Sequence, residues 1–365
     1  MKKIAGFSKG MGIGGWLTNY KRFNVLPNEW RKIVTEGDME HFRTYITAWD
    51  AKNIASMGVD HVRIGFDQLV MEQEPYIYRE EIFRLLKDFV LECRRQGLLV
   101  VLNLHKAIGN YCDIEEEITL FDSEELQDRF VALWVKLEEE YADCGDVMFE
   151  LLNEVRDVEP DLWNDLAERT IREIRRMNPD RRIIIGSRSW NGAKELDDLR
   201  VYEDENVIYT FHNYAPFEFT HQQGVLQALC MFYNRKMPYP CDDIERYRAF
   251  YRETAGREDV YPEYDRIDIE FLRDSIEGAK RFIEKHPDKI LWCGEFGTIR
   301  HCDIASRENW MADMIRILQE WDIPYCVWNY LSTPNDGNRF SLTDDDARQL
   351  LSPRLKRIIN GGDIL

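Results

Sequence analysis

No two of the eight cysteines stand in a C-x-x-C pair, and their spacing is irregular. A zinc site therefore has no ligand pattern, and a disulfide framework does not suit a chain of 365 residues. Several cysteines lie inside apolar runs such as LWCGEF, where a free thiol serves as a small core residue. The seven histidines contain no His-x-His pair, so a metal-dependent barrel hydrolase would lack its ligands. No metal and no cofactor are expected. No stretch approaches the ~18 consecutive apolar residues of a membrane span. Lys2 and Lys3 imitate the start of a signal peptide, but no apolar stretch of about 7–15 residues follows. The expectation is a cytoplasmic protein, or a secreted one whose signal peptide is absent from this chain. Positive charge is short as well: 48 Lys and Arg face 67 Asp and Glu, a net charge of −19. Repulsion of that sign excludes nucleic acid and an anionic membrane surface as natural partners and favours a neutral one.

Low-complexity tracts and Gly/Ser linkers are also missing, which argues for one domain over residues 1–365. Aromatic residues, by contrast, are plentiful, with 10 Trp and 17 Tyr. Most should fill a core; the remainder suggest flat surfaces on which an uncharged ligand stacks.

Eight short apolar runs recur: 11–15, 61–65, 98–104, 147–152, 182–186, 207–211, 290–294 and 325–329. They are continuous rather than alternating, as expected of parallel strands covered on both faces. Amphipathic stretches of helix length separate them, at 47–57, 79–95, 123–142, 160–177, 266–286, 305–320 and 344–358, with a short helix near 193–200. Strand and helix alternating eight times is the pattern of a (β/α)8 TIM barrel. Gly10, Gly12, Gly14 and Gly15 precede Trp16-Leu17 with no helix start, so they read as room for close packing rather than as a nucleotide loop. Residues 215–265 hold ten aromatics and four prolines. A structureless loop of that length is improbable, so an inserted subdomain after the sixth strand is expected.

In such barrels the chemistry lies at the C-terminal strand ends. The residues found there are Arg63, Asn103, His105, Asn153, Glu154, Ser187, His212, Tyr214, Glu295, Trp328 and Asn329. Two carboxylates, Glu154 and Glu295, each end an apolar run, a costly place for an unpaired charge. Two opposed carboxyl groups suit glycosidic bond cleavage, one protonated and donating to the leaving oxygen, the other ionised and attacking carbon. Arg63 and Tyr214 are candidates to hold the attacking group ionised. Trp16, Trp190, Phe217 and Tyr233 follow strands one, five and six and are candidates for a sugar-stacking platform.

Together FELLNE, WCGEF, HVRIGFD, LNLHKAIG, FHNYAPF and VWNY resemble glycoside hydrolase family 5, and within it the clostridial endoglucanase C type, which also carries a long insertion after its sixth strand. The resemblance implies a retaining endo-β-1,4-glucanase, acting on cellulose-type or mixed-linkage β-glucan. It puts the acid/base on Glu154, the nucleophile on Glu295 and a 2-hydroxyl contact on Asn153. It sets Arg63 and Tyr214 beside Glu295, His105 and His212 on sugar hydroxyls or on the acid/base, and Trp328 under the sugar at the cleaved linkage. The alternatives are a β-mannanase, xyloglucanase or exo-β-glucosidase on the same scaffold, or a non-catalytic sugar-binding protein. The partner expected is a β-glucan poly- or oligosaccharide, and the oligomeric state expected is a monomer. Family relatives often read D-x-H-H-A-P-G at the third strand, whereas Asn103-Leu104-His105-Lys106-Ala107-Ile108-Gly109 stands here.

Overall fold

The computed structural model describes residues 2–18, 20–21, 32–112, 116–333 and 336–362. Its centre is a closed barrel of eight parallel strands. They are β1 (Lys9–Leu17), β2 (His61–Asp67), β3 (Leu99–Lys106), β4 (Met148–Glu150), β5 (Ile183–Gly186), β6 (Val207–Asn213), β7 (Ile290–Phe296) and β8 (Tyr325–Val327). Each pairs with its sequence neighbour, and β8 closes on β1 through Lys9–Tyr325 and Met11–Val327. All eight predicted runs are strands, so the chain is a (β/α)8 barrel.

Helices α1 (Glu36–Thr44), α2 (Ala48–Ser56), α3 (Glu80–Arg95), α4 (Glu124–Glu140) and α5 (Pro160–Met177) follow the first four strands. Helix α3 buries Ile82, Phe83, Leu86, Phe89, Val90 and Cys93, the i, i+3, i+4 stripe of a helix laid on a sheet. Helix α4 starts where the Ser123 hydroxyl accepts the Leu126 N–H, and Pro160 takes the first turn of α5, where it has no hydrogen bond to lose. Between β5 and β6 stands only a short 3-10 helix, Ala193–Asp198.

The stretch predicted as one helix over 266–286 is two, α9 (Ile269–Ser275) and α10 (Glu277–Lys285), broken at Ile276. The break lets α10 lie directly on the 3-10 helix: a Cβ on Gly278 would come within 2.0 Å of the Ala193 carbonyl oxygen. The last predicted helix, 344–358, shrinks to α12 (Pro353–Ile359). Pro353 keeps Ser352 extended, and the Asp344 carboxylate gathers the N–H groups of Asp346, Ala347 and Gln349 into a turn instead. Helix α11 (Ile304–Glu320) was expected at 305–320.

Residues 215–265 contain α6 (Phe217–Thr220), α7 (Ala228–Tyr233) and α8 (Glu245–Ala255). Phe219, Tyr239, Tyr247 and Phe250 are buried within it, and the Tyr239 hydroxyl ties it to Asp313 on α11 at 2.8 Å.

The barrel interior changes character along its axis. At the N-terminal end Phe7, Val101, Met148, Ile184, Ile208, Ile290 and Trp292 form an apolar plug. Alternate residues of β3 then climb from Val101 through Asn103 to His105, and the buried interior turns polar.

Candidate active site

The polar layer is organised by Arg63, which is fully buried on β2. Its Nε and Nη2 donate to Glu150 on β4 at 2.7 and 2.9 Å. Nη1 donates to Oε2 of Glu295, at the end of β7, at 2.5 Å, and Nη2 also reaches Oδ1 of Asn153 at 2.6 Å. Burial alone would lower the proton affinity of Arg63, but the carboxylates of Glu150 and Glu295 reverse this and it stays charged. The other oxygen of Glu295 accepts the Tyr214 hydroxyl at 2.6 Å. Burial first, then the negative charge of Glu295 and Glu154, pushes the Tyr214 pKa well up, so its proton stays in place to be donated. Glu295 is thus fixed from two sides.

Glu154 follows β4 and stands across the cleft. Its Oε1 meets Nδ1 of His212, on β6, at 3.1 Å. Burial lowers the His212 pKa to about 4, with Arg63 adding to this and the carboxylates of Glu295 and Glu150 opposing it less strongly, so the ring is neutral at neutral pH. Ligating atoms of Glu154, His212 and Glu295 all lie within 4.8 Å of one another. As a cation site this set fits poorly, because both Glu295 oxygens are already hydrogen-bonded by Arg63 and Tyr214 and the guanidinium supplies the positive charge.

Trp328 follows β8 with its indole parallel to the His105 imidazole, 8° between planes and 5.4 Å between centroids. Space for it comes from β1: a Cβ on Gly12 or Gly14 would lie 2.7 or 2.5 Å from indole carbons. Of the four glycines expected to allow close packing, Gly12 and Gly14 thus make room for Trp328, whereas a Cβ on Gly10 would meet the His61 ring. His105 Nδ1 is 3.0 Å from Asn103 Oδ1.

These groups open into a cleft of about 560 Å³ lined by His105, Glu154, His212, Tyr214, Glu295 and Trp328. Of the four aromatics expected on its walls, Trp190 and Phe217 are there, 44% and 48% exposed. Trp190 belongs to three consecutive left-handed residues, Ser189, Trp190 and Asn191. Its backbone N–H is bonded to the Val155 carbonyl and its indole N–H to that of Cys112.

Trp16 and Tyr233 are corrections. Trp16 is 1% exposed in the outer layer, its indole N–H on the Phe42 carbonyl at 2.7 Å and its ring against Phe89. Strict alternation after Gly12 and Gly14 would point it inward, but Gly15 has a φ of +72° and the β1–β2 register shifts there, turning it outward. Tyr233 packs edge-on against Phe250 and under the Arg235 guanidinium, on the insertion and away from the cleft lining. Sequence reasoning passed over Glu150 and Asn191. A carboxylate inside the apolar run VMFELL was a readable signal for the first; nothing in the sequence marked the second.

The family model for cellulase, glycosyl hydrolase family 5, matches residues 21–333. The chain belongs to glycosyl hydrolase family 5. This family 5 chain is 34% identical over 340 residues to Endoglucanase C of Acetivibrio thermocellus, covering 90% of this chain and 92% of that one. It is 30% identical over 314 residues to Cellodextrinase A of Ruminococcus flavefaciens, covering 85% and 80%. Crystal structures of Thermotoga maritima Cel5A, one in complex with cellobiose and one with mannotriose, superpose with a TM-score of 0.70 at 25% identity, over 97% of both chains.

Proposed function

We propose that this family 5 enzyme is a retaining endo-β-1,4-glucanase with Glu154 as acid/base and Glu295 as nucleophile. The observation that carries the reading is the pair of carboxylates facing each other, one oxygen of each within 4.8 Å of the other. Retaining glycosidases hold the two carboxyl groups about 5–5.5 Å apart, whereas inverting ones need roughly 6.5–9.5 Å to admit a water. In the first step Glu154 gives its proton to the leaving glycosidic oxygen while Glu295 attacks the anomeric carbon, giving an ester and a free sugar hydroxyl. In the second, Glu154 takes a proton from water as that water displaces Glu295, which restores both groups.

Asn153, held by Arg63, is suited to the 2-hydroxyl beside the nucleophile. Trp328 and His105 form the floor for the sugar on the nucleophile side. Trp190 and Phe217 form walls on the leaving-group side, next to Glu154. Residues 215–265 are an inserted subdomain bordering that side. The acidic net charge suits a neutral polysaccharide, and the working unit is a monomer. Among the described residues no helix is long and apolar enough to cross a membrane.

The test is hydrolysis of barley β-glucan, carboxymethylcellulose, xyloglucan, mannan and laminarin, with products separated by size and the new anomer read by NMR. Internal cuts in β-glucan with retained configuration are expected, with no effect of a chelator. Azide should restore Glu154→Ala on a substrate with a good leaving group. Rescue of Glu295→Ala instead would reverse the two roles, and inverted product would remove the mechanism. Mannan cleaved faster than glucan would replace the substrate.

A further inference from the structure

Asn191 is wholly buried, yet it lies in backbone that non-glycine residues rarely adopt. It is the third of the three left-handed residues after β5, with a φ of 57°. The loop is fixed at several points. Trp190 N–H bonds the Val155 carbonyl, one residue past Glu154. The Ser187 hydroxyl bonds the Gly192 carbonyl, and Gly192 bridges to His212 itself. The Asn191 side chain occupies the space a Cβ on Gly186 would take, since such an atom would fall 2.4–2.6 Å from its amide. All this delivers Nδ2 of Asn191 to 3.3 Å from Nε2 of His212, while its Oδ1 has no hydrogen-bond partner. The opposite nitrogen of the same ring meets Glu154.

We propose that Asn191 is a positioning residue whose amide fixes the tautomer of His212, so that Nε2 accepts and Nδ1–H is presented to Oε1 of Glu154. The second half of that statement rests on Glu154 being the acid/base; the tautomer does not. A neutral imidazole has one donor and one acceptor nitrogen. With the amide N–H on Nε2, the ring proton must sit on Nδ1. The reverse tautomer would set the Nδ1 lone pair against a carboxylate oxygen at 3.1 Å, two acceptors facing each other. With Nδ1–H holding Oε1, the exchangeable proton of Glu154 is confined to Oε2. That proton leaves with the departing sugar and is replaced from water on the same oxygen, while His212 neither gains nor loses one.

Other charges act on the pair. Glu295, Glu150 and Arg63 influence His212 from the interior. Tyr214, Lys106, Arg156, Lys194 and Glu195 share the cleft. Asn191→Ala leaves every one of these in place, so its effect reports the amide. In the variant the Nε2–H tautomer becomes accessible, the donor to Glu154 is lost part of the time, and the carboxylate is less favoured. The alkaline limb of the kcat/KM profile should move up by roughly one pH unit while the acid limb stays. In a His212→Ala background the same substitution should move neither limb.

The tautomer is read directly in the wild-type protein by NMR of nitrogen-labelled histidine, with His212→Ala assigning the signal. A pyrrole-type Nδ1 and a pyridine-type Nε2 at neutral pH are expected. An Nε2–H tautomer, or an imidazolium, would overturn the proposal even if no variant folds, and so would an alkaline limb that Asn191→Ala leaves unmoved. If azide fails to rescue Glu154→Ala while the tautomer is as stated, the acid/base reading fails and the tautomer assignment survives.

Discussion

Tyr214 donates its hydroxyl to Oε1 of Glu295 at 2.6 Å, on the side of the carboxylate opposite Arg63. Removing this donor should matter more in the reaction than in the fold. A hydrogen bond to a charged group contributes about 1.5–3 kcal/mol. Tyr214→Phe should therefore lower kcat by roughly 10- to 150-fold with little change in KM. Steady-state kinetics on a soluble β-glucan checks it; a loss confined to KM would mean that the hydroxyl serves substrate binding alone.

Gly14→Ala tests the seat of Trp328. The added Cβ would sit 2.5 Å from the indole edge, and the indole is backed by the parallel ring of His105. Forcing an atom into such packing costs about 1–3 kcal/mol. Urea unfolding should register that loss, and KM for cello-oligosaccharides should rise as the indole tilts. An unchanged KM would remove Trp328 from the sugar floor.

Trp190→Ala and Phe217→Ala should each weaken use of long substrates more than short ones, because both rings are half exposed on the cleft wall. Loss of about 1–2 kcal/mol of stacking corresponds to roughly 5- to 30-fold in kcat/KM. The comparison is between a cello-oligosaccharide long enough to cross the cleft and an aryl glycoside whose leaving group does not reach the wall. Equal losses on both would place the rings in the fold, not on the sugar.

Glu218 supplies a pH dependence of stability. It is almost wholly buried on α6, and burial pushes its pKa up to about 7 despite donors from Tyr261 at 2.8 Å and Tyr251 at 3.2 Å. A carboxyl raised in the folded state favours folding less as pH rises, since the unfolded chain releases its proton first. The penalty begins above the unfolded value near 4.5, is complete above about 7, and is on the order of 3 kcal/mol. Glu218→Gln should thus be more stabilising, or less destabilising, at pH 8 than at pH 5 in urea unfolding. A pH-independent difference would show that Glu218 does not titrate in this range.

How far the sequence could be read follows from which physical signals are local. Buried parallel strands are continuous apolar runs, so all eight were visible, and each strand's end led to the residue just beyond it, Glu154 and Glu295 among them. Glu150 carried a local signal, a carboxylate inside the apolar run read as β4, but only the position of Arg63 across the barrel explains a charge there. Trp16 was misplaced because one residue of positive φ reverses the facing of everything after it. Asn191 was beyond reach because three consecutive left-handed residues are imposed by tertiary contacts, and none is a glycine that would have announced them.

The buried group of Arg63, Glu150 and Glu295 has a further consequence when charges are followed around the reaction. At rest it holds one positive and two negative groups, an odd negative charge with almost no solvent to screen it. On the proposed mechanism, esterification of Glu295 by the sugar removes its charge and leaves Arg63 balanced by Glu150 alone. Electroneutrality of the interior is therefore reached at the covalent intermediate, not in the free enzyme. On that mechanism the surplus charge is the counter-ion for the cation developing at the anomeric carbon, in position before substrate arrives. Glu150, fully buried and outside the cleft lining, sets that parity: with glutamine in its place the resting interior would already be neutral, Arg63 being matched by Glu295 alone.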